Sequence, residues 1–310
     1  MSDENSLFEL TSSHLNTGMR GIPVGTCRTS FVTPTEGVHY CGYPISELAS
    51  MLPEDVIYLL FNKELPNPEQ SFAFQEELKS RGAIPDGIEQ VLASLPLDGH
   101  PMDWLSIGIH TLGMLGGEGD WKSDALNLVA RMPRLLGLIF RYREGRSDNI
   151  PADDLSLDLV GRFTNTLDFG DVDKSIMDQV IATYLVLHMD HGGGNLSTFA
   201  GKAVASGHAS VYSSMAGAMN ALSGPLHGRA NQSCFEFVKK IGTSDPDEVE
   251  AFVRGELNAR RPVFGFGHAV LRAEDPRATV QFALGEKICP EDEYFKTCLL
   301  YTSPSPRDIG

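Results

Sequence analysis

Two histidines of this chain lie among glycines in surroundings that suggest chemistry, and the first is His227. It lies in SGPLHGRANQ, where Gly224, Pro225 and Gly228 predict a tight turn. Apolar residues at helical spacing predict a helix directly after this turn: Ala230, Cys234, Phe237, Val238 and Ile241. A histidine at a helix N-terminus faces the positive end of the helix dipole, which favours a neutral ring able to donate to a developing oxyanion. The pattern predicts a histidine that assists enol formation, and a histidine satisfied within a packed loop is the alternative.

The second histidine, His268, lies in the run GFGHAVLRAEDPR, which also contains Arg272 and Arg277. Glycines let the backbone approach a ligand closely, and arginine forks suit carboxylate or phosphate groups. The run therefore predicts an anion site, with a glycine turn beside two solvated arginines as the alternative. It does not fit a dinucleotide fingerprint, because no third glycine follows and no β-rich strand precedes it.

A third histidine run, HMDHGGGN, brings His188, Asp190 and His191 close together. Such a cluster raises the alternative of a hydrolase metal site. The spacing is not a recognised zinc pattern, however, and no third ligand has a suitable motif. We therefore expect no metal.

The net charge of the chain indicates which classes of partner it binds. The 310 residues carry a formal net charge of −16, which argues against nucleic acid or an anionic membrane as the main partner. Around His268 the balance reverses, because residues 254–277 contain five arginines and three acidic residues. A basic island in an acidic protein is where an anionic substrate would be drawn.

Composition indicates a globular chain, with 42% hydrophobic and 21% charged residues. Its five cysteines are scattered and lack CxxC spacing, so we expect reduced thiols rather than a disulfide framework. No apolar stretch reaches the length of a membrane span, and the acidic start MSDENSLFEL lacks the features of a signal or transit peptide. We therefore expect a cytoplasmic protein.

The elements that must position the histidines are mostly helices. Residues 22–43 alternate with Gly, Pro and Thr and predict a small β-hairpin. Apolar stripes with a period near 3.6 then predict helices over residues 47–62, 71–81, 88–94, 102–115, 122–142, 155–165 and 175–189. The fold class is therefore mainly α, with a minor N-terminal β element.

Taken together, these runs resemble the citrate synthase family. GFGHAVLRAEDPR matches the family's signature around its second histidine, and HMDHGGGN resembles its HSDHEGGN segment. GIPVGTCRTSF, HPMDWL and MPRLLGLIFRYREG resemble its remaining landmarks in the same order. Several ordered motifs, over roughly residues 18–297, are far more specific than any one of them.

The resemblance implies a large helical domain over residues 1–226 and a smaller helical domain over residues 227–297 that closes over the cleft. Residues 298–310 show neither helical periodicity nor a family landmark, and their SPSP run is typical of a disordered end. We expect them to be a non-native tail, so that the small domain is truncated and later family helices are missing.

The activity implied by the resemblance is the citrate synthase reaction of the tricarboxylic acid cycle, in which acetyl-CoA condenses with oxaloacetate to give citrate and coenzyme A. Acetyl-CoA would be a co-substrate, with no permanently bound cofactor and no metal, and family members are homodimers or larger. Two alternatives stay open. One is 2-methylcitrate synthase using propionyl-CoA, since the residues that set pocket size cannot be placed. The other is an inactive fragment that binds without turnover.

Family roles carry over onto matching positions. His227 would donate to the thioester oxygen as a neutral ring, and His268 would donate to the ketone of oxaloacetate. His191 and Arg277 would hold oxygens of the same substrate, with Asn195 nearby in the loop of His191.

Coenzyme A would be held by Arg272, which meets a phosphate, and by the backbone of Val263, Gly265 and Gly267. The family's base is an aspartate on a later segment, and no residue here matches it. We therefore expect this chain to be inactive as it stands.

Two positions depart from the family's motifs. Cys41 stands where the family usually has arginine, and Gly192 stands where many members have glutamate. Neither position is chemical in the mechanism, so the departures bear on local stability or interdomain contacts.

Overall fold

A computed structural model describes residue 9 and residues 11–16, 25–192, 194–225, 227–265 and 271–302. Within these residues the chain forms fourteen α-helices and three short strands, so the expected mainly α fold class is confirmed. No helix in this described part is both long and apolar enough to cross a membrane.

The β element is a three-stranded antiparallel sheet. Its strands, in spatial order, are β1 (Ser30–Thr33), β2 (Gly37–Tyr40) and β3 (Tyr43–Pro44). Cys41 and Gly42 join β2 to β3 with positive φ angles of 50° and 96°, as a type I′ turn requires. The predicted hairpin is thus a three-stranded meander, because a two-residue strand is too short to show alternation. Residues 22–24 of that prediction lie outside the described residues.

Fourteen helices follow the sheet. The first seven are α1 (Ile45–Leu48), α2 (Pro53–Asn62), α3 (Pro68–Arg81), α4 (Ile88–Ala93), α5 (Pro101–Gly116), α6 (Trp121–Arg143) and α7 (Leu159–Leu167). The others are α8 (Lys174–Leu187), α9 (Leu196–Ser206), α10 (Val211–Leu222), α11 (Ala230–Ile241), α12 (Pro246–Asn258), α13 (Pro276–Ile288) and α14 (Glu293–Thr302). The helix predicted over residues 47–62 is interrupted, since Pro53 favours the first position of a new helix.

Many of these helices begin where a short polar side chain accepts a backbone N–H of the first turn. Asn67 and Gln70 form a reciprocal capping box at the start of α3. Single caps of the same kind start α6, α7, α8, α10, α12 and α13, through Asp120, Asp158, Asp173, Ser210, Asp245 and Asp275. Local sequence thus sets most helix starts.

Two apolar cores hold the helices that follow the sheet. The larger joins α4, α5, α6 and α10 around Trp104, Leu112, Leu135 and Tyr212. A smaller core packs α3 against α6 and α7 through Phe74, Leu126 and Leu159. Helices α9 and α10 pair with each other, so the start of α9 is held by the larger core.

A third core lies between the sheet and α1, α2 and α8. It contains Val38 and Tyr40 of β2, Val56 of α2 and Val186 of α8, and Val280 of α13 packs against it. This core brings the end of α8 and the start of α13 to the sheet.

The last core joins α11, α12 and α14 through Phe237, Val249 and Tyr301. We expected no helical periodicity after residue 297, but α14 continues through Thr302, and Cys298 packs against this core together with Tyr301. That expectation is wrong for residues 298–302, because burial of one helix face against α11 overrides a weak local pattern. Residues 303–310 lie outside the described residues, and the domain boundary at 226–227 stays a prediction.

Candidate active site

The loop that contains His191 is bonded to the first strand. We call residues 188–195 the histidine loop; its Gly193 lies outside the described residues. Thr29 Oγ1 donates to Asp190 Oδ2 at 2.5 Å, and the Gly192 N–H donates to Ser30 Oγ at 2.6 Å. Gly192 N–H also donates to Asp190 Oδ1 at 3.1 Å. Two hydroxyls more than 160 residues away in sequence therefore set the shape of this loop.

The buried side chain of Tyr40 also supports the histidine loop. Tyr40 is fully buried, and its hydroxyl donates to the Val186 carbonyl at 3.0 Å and accepts the Asp190 N–H at 3.2 Å. Burial is the main cause that raises the pKa of Tyr40, so the group stays a neutral hydroxyl. Tyr40 thereby joins the sheet, the last turn of α8 and the histidine loop.

His188, at the C-terminal end of α8, is held as a neutral ring. Its Nδ1 lies 2.8 Å from the Tyr184 carbonyl, which can only accept, so Nδ1 carries the proton. The ring stacks on Tyr184 with centroids 4.1 Å apart. Burial is the main cause that lowers the pKa of His188, and the positive charge of Arg277 lowers it further.

His227 lies in the turn between α10 and α11, as its glycines predict. Its N–H donates to the Gly224 carbonyl at 3.0 Å, and Gly228 N–H donates to the Leu222 carbonyl at 2.9 Å. A side chain at Gly228 would collide with that Leu222 carbonyl, so glycine is required there. The predicted helix begins at Ala230, close behind the turn.

The ring of His227 faces a helix N-terminus, but the helix is α9 rather than the predicted α11. Its Nε2 accepts the Ser197 N–H at 3.2 Å and lies 3.0 Å from Ser197 Oγ. Because Nε2 accepts, the ring proton is on Nδ1, which is then the ring's one donor. Ser197 is in the first turn of α9. This helix directly follows Asn195, the last residue of the histidine loop.

Asn195 occupies the N-cap position of α9, and its carbonyl accepts the Phe199 N–H at 2.9 Å. Its side chain makes no capping bond. The start of α9 is therefore the place where His227 and the histidine loop meet.

Arg277 is held at the start of α13 by the residue that caps the helix. Asp275 accepts the Arg277 N–H at 3.0 Å and also accepts from its guanidinium, with Nη2 at 2.6 Å from Oδ2. Helix α13 packs against α1 and α8, and the charge of Arg277 affects the pKa values of both Tyr40 and His188. The structure thus brings Arg277 towards the end of α8.

Arg272 lies on a segment that packs against the sheet. Its N–H donates to the Pro34 carbonyl at 2.8 Å, and its Nη1 donates to the Leu271 carbonyl at 2.8 Å. Pro276 packs so closely on Gly37 that a Cβ there would lie 2.6 Å from its Cδ. The turn between β1 and β2 therefore positions the segment that leads into α13.

The remaining predicted residues precede that segment in the sequence. Val263 packs against the core of α11, α12 and α14. Gly265 has a φ of 95°, which disfavours other residues. His268 and Gly267 lie outside the described residues.

Sequence reasoning missed Thr29, Ser30, Tyr40 and Ser197. The adjacent hydroxyl residues Thr29 and Ser30 in the predicted hairpin were a possible signal, whereas nothing local marks Tyr40 or Ser197 as part of a site. The metal alternative finds no support in the geometry: Asp190 and His188 already bind protein groups, and the described residues contain no cluster of three metal-ligating side chains.

The protein is mainly α, with a small sheet beside the two sites described above, the turn at His227 and the histidine loop. Comparisons with known proteins agree with this description. The family profile of the citrate synthase C-terminal domain matches residues 18–302. The chain belongs to the citrate synthase family.

Its relatives include the mitochondrial citrate synthase of Citrus maxima, 33% identical over 310 aligned residues, and mitochondrial citrate synthase 4 of Arabidopsis thaliana, 32% identical over 308. Each alignment covers 90% of this chain and 64% of the relative. The chain thus spans slightly under two thirds of the length of these relatives.

Solved structures are similar throughout the chain. Citrate synthase from Thermotoga maritima superposes with a TM-score of 0.79 at 26% identity, covering 91% of this chain and 75% of the other. A citrate synthase from Thermoplasma acidophilum, solved as a ternary complex with carboxymethyl coenzyme A and oxaloacetate, gives 0.81 at 23% identity over 95% of this chain and 78% of its own. This second likeness supports the fold alone.

Proposed function

We propose that this chain carries citrate synthase chemistry, the condensation of acetyl-CoA with oxaloacetate followed by hydrolysis of the thioester to citrate and coenzyme A. The observation that carries the proposal is the orientation of His227. Its Nε2 accepts the Ser197 N–H in the first turn of α9, which leaves Nδ1–H as the ring donor for a ligand. A neutral donor of this kind stabilises a thioester oxygen as it becomes an enolate oxygen.

The oxaloacetate subsite of this proposal consists of His191, Asn195, Arg277 and His268. It is supported by the bonds that tie the histidine loop to the sheet and by the approach of α13 to α8. Arginine supplies the bidentate fork that a carboxylate prefers, and the histidines supply hydrogen-bond donors.

The coenzyme A subsite of the proposal consists of Arg272 with the backbone of Val263, Gly265 and Gly267. Its support is the positive φ of Gly265 and the docking of Arg272 on the β1–β2 turn. Acetyl-CoA is the acyl donor we propose, and propionyl-CoA is the alternative. Comparing kcat/KM for the two thioesters separates them.

Replacing His227 tests the proposal. In a chain extended with the C-terminal segment of its relatives, His227→Ala should lower kcat by about a hundredfold or more, as loss of one oxyanion donor does. Oxaloacetate binding should change little. The rate is measured by release of free coenzyme A thiol, and His208→Ala, on an exposed histidine between α9 and α10, is the matched control.

A loss of less than tenfold in His227→Ala, or an equal loss in the control, would reject the role of His227. We propose further that the 310 residues alone do not turn over, since no motif in them supplies the family's carboxylate base. Turnover at even a hundredth of the extended chain's rate would contradict that second statement.

A further inference from the structure

The sulfur of Cys27 lies against both hydroxyls that hold the histidine loop. Its Sγ is 3.5 Å from Thr29 Oγ1 and 3.7 Å from Ser30 Oγ. The same two oxygens bond Asp190 and Gly192, at 2.5 and 2.6 Å. Any movement of the Cys27 sulfur therefore acts directly on the two anchors of the loop.

A second thiol shares Thr29 with the first. The N–H of Cys41 donates to the Thr29 carbonyl at 2.7 Å, and its Sγ–H donates to the same oxygen at 3.5 Å. This bond continues the pairing of Ser30 with Tyr40 by one residue, so Thr29 lies opposite Cys41. Thr29 thus contacts both sulfurs, that of Cys27 through its hydroxyl and that of Cys41 through its carbonyl oxygen.

Each sulfur lies 3.5 Å from an atom of Thr29, Cys27 from Oγ1 and Cys41 from the carbonyl oxygen. A disulfide between the two needs Cα atoms within about 7 Å of each other. Residues 25–29 precede β1 and are not part of a strand, so they can supply the small shift required. Both thiols are half-buried and reach solvent.

The surroundings give the two thiols different reactivities. Burial alone would raise the pKa of Cys27, but its hydrogen bonds with Thr29 and Ser30 outweigh burial and lower the pKa. Burial raises the pKa of Cys41. Because the thiolate is the reactive form, Cys27 is the nucleophile and Cys41 is the thiol that resolves it.

We propose that Cys27 and Cys41 form a peroxide-reactive dithiol site, and that its oxidation to a disulfide loosens the histidine loop. The Cys27 thiolate attacks one oxygen of hydrogen peroxide; the O–O bond breaks, and hydroxide leaves and is protonated to water. The Cys41 thiol then attacks the resulting sulfenic acid, so that an S–S bond forms, the S–O bond breaks and a second water leaves with the Cys41 proton. Two thiols lose two electrons and one peroxide gains them.

Oxidation changes the loop because the new bond draws the Cys27 sulfur away from Thr29 and Ser30. Thr29 lies between the two cysteines and must shift with the segment that carries Cys27. Its bond to Asp190 then weakens, and the histidine loop loses one of its two strand anchors. This site does not depend on the proposed function, and under that function oxidation would weaken oxaloacetate binding.

The test uses the purified 310-residue chain, reduced and then treated with hydrogen peroxide. Trypsin cleaves after Arg28, so Cys27 and Cys41 fall in separate peptides that only a disulfide joins. We expect mass spectrometry to find this linked pair, with loss of two free thiols. Cys41→Ser should trap a sulfenic acid on Cys27 that reacts with dimedone, and Cys27→Ser should leave Cys41 reduced.

Hydrogen exchange of peptides from the histidine loop supplies the second readout. Exchange should become faster on oxidation and return to its starting rate with dithiothreitol. Cys289→Ser, at a half-buried thiol whose pKa is raised by burial, is the matched control and should behave like the unchanged chain. Absence of the linked peptide, a disulfide between other cysteines instead, or a linked pair without faster loop exchange would each overturn the proposal.

Discussion

At the scale of single residues, the site couples groups that bind each other before any ligand arrives. Arg277 shows this most directly, since Asp275 holds its guanidinium through Nε and Nη2. A dicarboxylate bound at Arg277 must compete with the Asp275 carboxylate. The aspartate has a second task, because it also caps α13.

Replacing Asp275 by asparagine separates these two tasks. Asparagine caps a helix as well as aspartate does, but it carries no charge to compete for the guanidinium. Under the proposed function, Asp275→Asn should therefore tighten oxaloacetate binding by about threefold or more, corresponding to an ion pair of about 0.6–1 kcal/mol. Titration calorimetry measures the change. Weaker binding would show that Asp275 orients Arg277 rather than competing for it.

At the scale of elements, one buried arginine joins three segments of the large helical part. Arg162 of α7 is 2% exposed and donates to the Ala130 carbonyl of α6 at 2.7 Å and to the Gly82 carbonyl after α3 at 2.8 Å. It also binds both carboxylate oxygens of Asp153, at 3.1 and 2.7 Å. These bonds satisfy groups on all three segments. Removing the Arg162 side chain therefore leaves several buried groups without partners.

Arg162→Ala should lower the free energy of unfolding by about 3–5 kcal/mol, because the Asp153 charge loses its buried partner. Urea unfolding measures this as a lower midpoint at an unchanged slope. Arg254→Ala is the control: Arg254 pairs with Glu250 on the exposed surface of α12, and its loss should cost about 0.5 kcal/mol or less. Similar losses in the two variants would contradict the role given to Arg162.

A second link between elements depends on pH. Glu256 of α12 accepts from Arg261 at 2.7 and 2.8 Å and from Lys240 of α11 at 3.4 Å. The bonds from Arg261 are the chief cause that lowers the pKa of Glu256 from 4.5 to about 2. Since the folded carboxylate binds protons less readily than the unfolded one, its stabilising effect is present above about pH 4.5 and is lost as pH falls towards 2.

Glu256→Gln should therefore be less stable than the unchanged chain at pH 7, with a difference that shrinks as pH falls from 4.5 towards 3. Unfolding midpoints measured across this range check the prediction. Glu286→Gln, on an exposed part of α13, is the control for replacing an exposed glutamate. A pH-independent difference for Glu256→Gln would show that the ion pair does not titrate as described.

At the scale of the whole molecule, large apolar side chains remain exposed on helices of the main core. Ile107 and Met114 lie seven residues apart on α5 and so share a face, and Met114 is 77% exposed. Trp121 and Phe140 of α6 and Met215 of α10 are exposed as well. Exposed apolar side chains are typical of an interface, so we expect the homodimer that the family resemblance implies.

Self-association is the corresponding prediction. Sedimentation velocity should find the chain as a dimer, and the double variant Ile107→Glu with Met114→Glu should shift it towards the monomer, since two charges would be buried at the interface. Phe72→Glu, on an exposed position of α3, is the control and should leave the dimer intact. An unchanged dimer in the double variant would place the interface elsewhere.

The sequence by itself determined the mainly α class, the starts of many helices and the turn that carries His227. Apolar residues spaced near 3.6 report which face of a segment will be buried, and glycine, proline and capping residues act through their own backbone or the next turn. That is why the turn at His227, the start of α11 and the cap of α13 at Asp275 are all readable locally.

Only the tertiary structure decided what those residues face. The His227 ring meets α9, thirty residues earlier, because α9 and α10 pack as a pair on the main core. The histidine loop depends on Thr29, Ser30 and Tyr40, which lie about 150 residues before it. Periodicity describes the geometry of one segment, whereas these bonds depend on how separate cores place segments side by side, and no local pattern carries that information.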